Sequence, residues 1–135
     1  MFSLGQVVMT RGVNNFCEEN NIEQKELTTL LNRHLSGDWG DLPEEDKETN
    51  DYALQTGERL LSAYTLNGQR IYIITEWDRS VTTILFPDEY WGGGTWKNIL
   101  KLNKCKLVFM DIKFNKRGRI EKSTTLKSWR RSLTS

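Results

Sequence analysis

This 135-residue chain has only one histidine and two cysteines. Cys17 and Cys105 form no paired-cysteine motif, so no structural metal site is expected, and the two thiols read as buried side chains rather than a disulfide. Long apolar runs are missing too. Ile71–Ile74 and Leu107–Met110 are far too short to span a membrane, and no membrane partner is expected. Met1–Gln6 lacks the basic and apolar regions of a secretion signal, which points to the cytoplasm. There is no Gly-rich phosphate loop, no dinucleotide fingerprint and no Gly-x-Ser-x-Gly elbow. Gly92-Gly93-Gly94 lacks the strand before and helix after that a phosphate loop needs. No cofactor is expected.

What is present is one domain's length of globular sequence with its charge sharply divided. Residues 1–90 hold 16 Asp and Glu against 7 Lys and Arg, whereas residues 91–135 hold 2 against 12. Such segregation suits different partners for the two parts, attraction of one onto the other, or a merely solvated basic tail.

Leu4–Val13 reads as a short strand ending at Arg11-Gly12, with an irregular helical turn around Asn15–Glu19. From Ile22 to Leu35, Leu27, Leu30, Leu31 and Leu35 recur at helical spacing, with Asn21 as cap and Gln24 as its reciprocal partner. Gly37 suits the helix stop. Pro43 opens a second helix whose Glu44, Glu45 and Asp46 complement the helix dipole, and which stops at Gly57. Arg59–Leu66 and Gln69–Trp77 flank Asn67-Gly68, a type I′ hairpin signal. That register sets Tyr64 opposite Ile71, Ser62 opposite Ile73, Leu61 opposite Ile74, and Arg59 opposite Glu76 as an ion pair. A reversal at Asp78-Arg79 returns Val81–Phe86 beside the middle strand. Both faces of this meander are apolar, so Tyr72, Ile74 and Leu85 need cover from residues 91–114 or a twin subunit. Lys106–Phe114 reads as a strand, Asn115–Gly118 as a turn, and the rest as a basic tail with Trp129. The expected fold is α+β: two helices on an antiparallel meander, plus a C-terminal strand and tail, with a boundary near Pro87–Trp96. Residues 1–90 form the acidic domain and residues 91–135 the basic extension packed on it.

Two polar clusters are candidates for chemistry. Arg33–Asp41 places His34, Asp38, Trp39 and Asp41 at a helix end, and Thr75–Ser80 places Glu76, Asp78 and Arg79 at a reversal. His34 with Asp38, Glu76 or Asp78 as carboxylates and Arg79 as anion anchor makes a conceivable nucleic-acid or nucleotide enzyme, provided the clusters meet. Each residue also has a structural explanation: a packing histidine, loop and turn carboxylates, and the Arg59–Glu76 pair.

Three blocks in order carry a resemblance: LGQVVMTRGV; RHLSGDWGDL with the following EEDK, NDYAL and GERLLSAY; and IYIITEWDRSVTTILFPDEY. Over Leu4–Tyr90 the chain resembles a family of small uncharacterised "plasmid-related" proteins of bacterial plasmids, integrative elements and phages. Residues 91–135 depart from that pattern. The resemblance implies a mobile-element accessory role and supplies no catalytic residues.

The favoured expectation is a non-enzymatic protein that modulates a host defence such as CRISPR-Cas or restriction. Asp38, Trp39, Asp41, Glu44, Glu45 and Asp46 would contact a host protein. Lys116, Arg117, Arg119, Lys122, Arg130 and Arg131, within residues 113–135, would contact nucleic acid or a second protein surface. The enzyme just described is the alternative, and an orphan nucleic-acid-associated domain is a third; a homodimer fits any of them.

Overall fold

Asn67 and Gly68 both adopt positive φ, 51° and 80°, and reverse the chain in the two residues between β-strands Leu60–Leu66 and Gln69–Thr75. Here the computed structural model, which describes residues 2–90 and 107–125, agrees with the sequence in register: Tyr64 faces Ile71, Ser62 faces Ile73 and Leu61 faces Ile74. The strand Val81–Leu85 follows the second reversal, antiparallel to Gln69–Thr75.

The meander is only half of the sheet. Gln6–Thr10 (β1) lies parallel to Val81–Leu85 (β4), and its other side pairs antiparallel with Leu107–Phe114 (β5). Ile120–Thr125 (β6) then pairs with the far half of β5. With Leu60–Leu66 as β2 and Gln69–Thr75 as β3, the order is β2-β3-β4-β1-β5-β6. The α+β class therefore holds, but the arrangement differs from the expected one. The sheet is mixed and six-stranded, β3 is the middle strand of the meander though not of the whole sheet, and Ile120–Thr125, read as tail, is a strand. Residues 107–125 join the same sheet as residues 6–85. β5 extends that sheet beside β1 rather than covering a face.

There are three helices among the described residues, not two. Arg11–Glu19 (α1) starts where a turn was expected, because the Thr10 hydroxyl accepts the Val13 N–H at 3.2 Å and caps it. Gln24–Leu35 (α2) begins later than the apolar spacing suggested. Asn21 sits at φ 54° instead of capping, and the Glu23 N–H donates to the Glu26 carboxylate at 3.0 Å. Glu44–Thr56 (α3) ends on Gly57 in the left-handed conformation, as its sequence implied.

Val13 and Cys17 of α1 and Leu27, Leu30, Leu31 and Leu35 of α2 pack with Val7, Met9, Tyr64, Ile71, Ile73, Ile84, Val108 and Ile120, so one core draws on all six strands. Helix α2 touches both edge strands. Thr28 bonds Ser123 at 2.7 Å on β6, while Arg33 lies 4.6 Å over the Tyr64 ring on β2. The sheet thus curls around this helix. On the opposite face Ile74 and Leu85 are buried, with Leu61, Tyr72 and Tyr90 packed against them. Whether residues 91–106 add to that cover lies outside the described residues, as do Cys105, Lys127, Trp129, Arg130 and Arg131.

Candidate functional site

The two polar clusters do meet, through buried hydroxyls. His34 leaves the last turn of α2 with 0% exposure. Its Nδ1 lies 2.5 Å from Ser62 Oγ and its Nε2 2.9 Å from Thr75 Oγ1. Thr75 Oγ1 is 2.7 Å from Thr82 Oγ1, which donates to the Leu4 carbonyl at 2.7 Å.

The end of this chain fixes the donors as far as the His34 ring. The Leu4 carbonyl only accepts, so Thr82 spends its single proton there, and Thr75 must donate to Thr82. Thr75 can then only accept from His34, so Nε2 carries a ring proton, and in the neutral ring Nδ1 accepts from Ser62. Burial, helped by the Arg79 cation, favours that neutral form and pushes the pKa down to about 3. Phe2 and Trp39 close over it edge-on, at 5.3 and 5.7 Å.

Ser62 and Thr82 were missed from sequence. Their signal was a small hydroxyl at an inward position of an otherwise apolar strand, Ser62 between Leu60 and Tyr64.

The proposed carboxylates do not converge on this imidazole. Strand alternation turns Glu76 away from the side that carries Thr75. Its buried carboxylate accepts from Arg59 Nε at 3.1 Å, the ion pair expected from register. Burial raises the Glu76 pKa and Arg59 opposes that rise. Asp78 accepts from the Ser80 N–H and hydroxyl and shapes the turn. Arg79 donates to the carbonyls of Glu58 at 2.7 Å, Glu76 at 2.9 Å and Ala53 at 3.4 Å, tying the end of α3 to the reversal. Asp38 forms an exposed 2.7 Å bridge with Arg33, which holds its carboxyl below the ordinary value. Trp39 is 3% exposed and its indole N–H donates to Asp51 at 2.9 Å, so it is not open to a partner as expected. Among the described residues, no three His, Cys, Asp or Glu side chains converge as a metal would require.

The surface is where charge stays available. Asp41, Glu44, Glu45, Asp46 and Glu48 are exposed at and around the start of α3, where Lys47 reaches Glu44 at 3.5 Å. Lys113, Lys116, Arg117, Arg119 and Lys122 are exposed on the β5–β6 hairpin. No protein-family model, curated protein or solved structure matches the chain.

Proposed function

We propose that this is a non-enzymatic accessory protein that acts by surface contact with a host macromolecule. The observation that carries the reading is the enclosure of His34. Both its ring nitrogens are bonded to buried hydroxyls and the side chain is 0% exposed, and burial pushes its pKa down to about 3, so it is poorly suited to exchange protons with a substrate. Contact between the clusters had favoured an enzyme. The sealing of the contact, and the separate structural bonds of Asp38, Glu76, Asp78 and Arg79, weigh against one.

The carboxylates of α3 offer a face able to stand in for nucleic acid on a basic partner. The resemblance of residues 4–90 to plasmid-related proteins suggests a mobile-element setting and a host defence complex, of the restriction or CRISPR-Cas kind, as partner. Phage plating on strains carrying one defined defence system, with and without this protein, tests the reading. Expression is expected to raise plating, and the combined Glu44→Gln, Glu45→Gln and Asp46→Asn variant to abolish the rise. Unchanged plating against both kinds of defence would overturn the defence reading, and substrate turnover that vanishes in His34→Gln would overturn the non-enzymatic one.

A further inference from the structure

The β5–β6 hairpin carries a surface of the opposite sign, for which the sequence left open nucleic acid or a second protein surface and which the α3 face proposed above does not involve. Pairing of β5 with β1 ends at Met110, where pairing with β6 begins. Residues beyond Met110 are therefore a two-stranded ribbon continuing past β1. Helix α2 braces its inner side. Thr28 bonds Ser123, and the Asn32 side-chain amide donates to the Ile120 carbonyl at 2.9 Å and accepts its N–H at 2.7 Å.

The outer side has no such support. Register places Lys113 directly opposite Lys122, an arrangement that weakens a ladder unless an anion neutralises it. Asp111 and Thr124, two pairs further in and on the same face, line a recess of about 210 Å³ with these two lysines. At the tip, the Asn115 side-chain oxygen accepts the Arg117 and Arg119 N–H groups at 2.9 and 3.1 Å, and Gly118 turns at φ 80°. That turn presents Lys116, Arg117 and Arg119 on a fixed backbone. None of the five cations forms an ion pair among the described residues. Asp111 and Glu121 are the ribbon's carboxylates.

We infer that this ribbon is a binding surface for duplex DNA, with its cations on the phosphates that flank the major groove. The inference is independent of any host-protein partner. Strands of a ribbon lie about 4.8 Å apart, and a two-stranded ribbon is a known fit to the roughly 12 Å major groove of B-form DNA. The deep, narrow major groove of A-form RNA does not admit side chains in this way. Phosphate contact needs no base readout, so the binding is sequence-tolerant.

The test is fluorescence anisotropy of the full chain on a labelled 20-base-pair DNA of arbitrary sequence and on the matching RNA duplex. With about four phosphates engaged, DNA affinity falls roughly a hundredfold between 50 and 200 mM salt. The triple variant Lys116→Ser, Arg117→Ser, Arg119→Ser lies in an exposed turn and leaves Asn115 and Gly118 in place. It is expected to bind DNA at least about tenfold more weakly, with a salt slope smaller by roughly 2 to 3. Lys47→Ser on α3 serves as control and leaves binding unchanged. Absence of DNA binding at 50 mM salt, an equal loss in Lys47→Ser, parental binding by the triple variant, or equal affinity for the RNA duplex would each overturn the inference.

Discussion

Asn50 pairs with Leu61 as one peptide group pairs with another. Its side-chain amide donates to the Leu61 carbonyl at 2.6 Å and accepts the Leu61 N–H at 3.1 Å, on the outer side of the edge strand β2. Two residues on, Ala63 is served by Trp39 and Asp41, whose carbonyl and N–H lie 3.2 and 2.7 Å from its backbone. Asn32 treats Ile120 on β6 in the same way as Asn50 treats Leu61. Both outer strands of the sheet thus have backbone groups covered by side chains from helices, which removes sites where another strand would pair.

Asn50→Ala is expected to cost about 2–3 kcal/mol, because it orphans a donor and an acceptor at once. Asn50→Asp recovers only part of the loss, since it keeps an acceptor for the N–H but sets a carboxylate against the carbonyl. Urea denaturation of the three proteins measures the order. An alanine variant as stable as the parent would show that water serves Leu61 equally well.

Gly40 is the next weak point. It turns at φ 76°, and a Cβ there would stand 2.0 Å from the Ala63 carbonyl oxygen and 2.7 Å from the Tyr64 ring. Gly57, at φ 74°, has nothing within 4 Å of the same position. Alanine at Gly57 therefore costs about 1 kcal/mol of backbone strain. At Gly40 it must also displace a backbone, costing about 3 kcal/mol or more. Paired thermal melts check this; equal losses at the two sites would contradict the close approach.

His34 sets a pH dependence. Its pKa of about 3 in the fold lies below the ordinary 6.5, so the unfolded chain takes up a proton that the folded protein refuses. The stabilisation is complete above pH 6.5 and is lost progressively as pH falls toward 3. From pH 7 to 5 this one group removes about 2 kcal/mol. Imidazole NMR isolates its contribution. The ring signals are expected to stay fixed from pH 8 to 5 in the folded protein, with the proton on Nε2, and to titrate near 6.5 in urea. A folded-state midpoint between 5 and 7 would refute the sealed network.

Removing residues 91–135 is expected to cause self-association. β1 would become an edge, exposing unpaired backbone along Val7, Val8 and Met9, a ready template for another copy. Analytical ultracentrifugation of the chain ending at Tyr90 gives the answer. A monomer as stable as the parent would refute the expectation.

Local chemistry was legible where neighbours in sequence decide it. Asn67-Gly68 dictated the hairpin, the hairpin dictated its register, and the register brought Arg59 to Glu76. The burial of Leu27, Leu30, Leu31 and Leu35 followed from their spacing. What stayed hidden depends on distant pairing. Nothing in Gln6–Thr10 says that it will lie parallel to Val81–Leu85, and Ile120–Thr125 is too polar to read as a strand until β5 and α2 are beside it. Helix α1 was obscured because Gly12, a turn signal, falls in its first turn after a capping threonine. His34 looked marginal on the apolar stripe, since hydroxyls from three strands complete its surroundings only in the folded sheet.

The placement of β1 also bears on how the chain reaches this structure. Of the six strands described, β1 is made before the others yet is internal in the sheet, and neither of its neighbours exists when it emerges. Gln6 must wait for Val81, and Thr10 for Leu107. The hairpin at Asn67-Gly68 can close at once, but it cannot shelter Val7 and Met9 until β4 follows. Folding is therefore paced by a late, long-range docking step, and the apolar segment Val7–Met9 stays open to capture by a chaperone until β4 and β5 have been made.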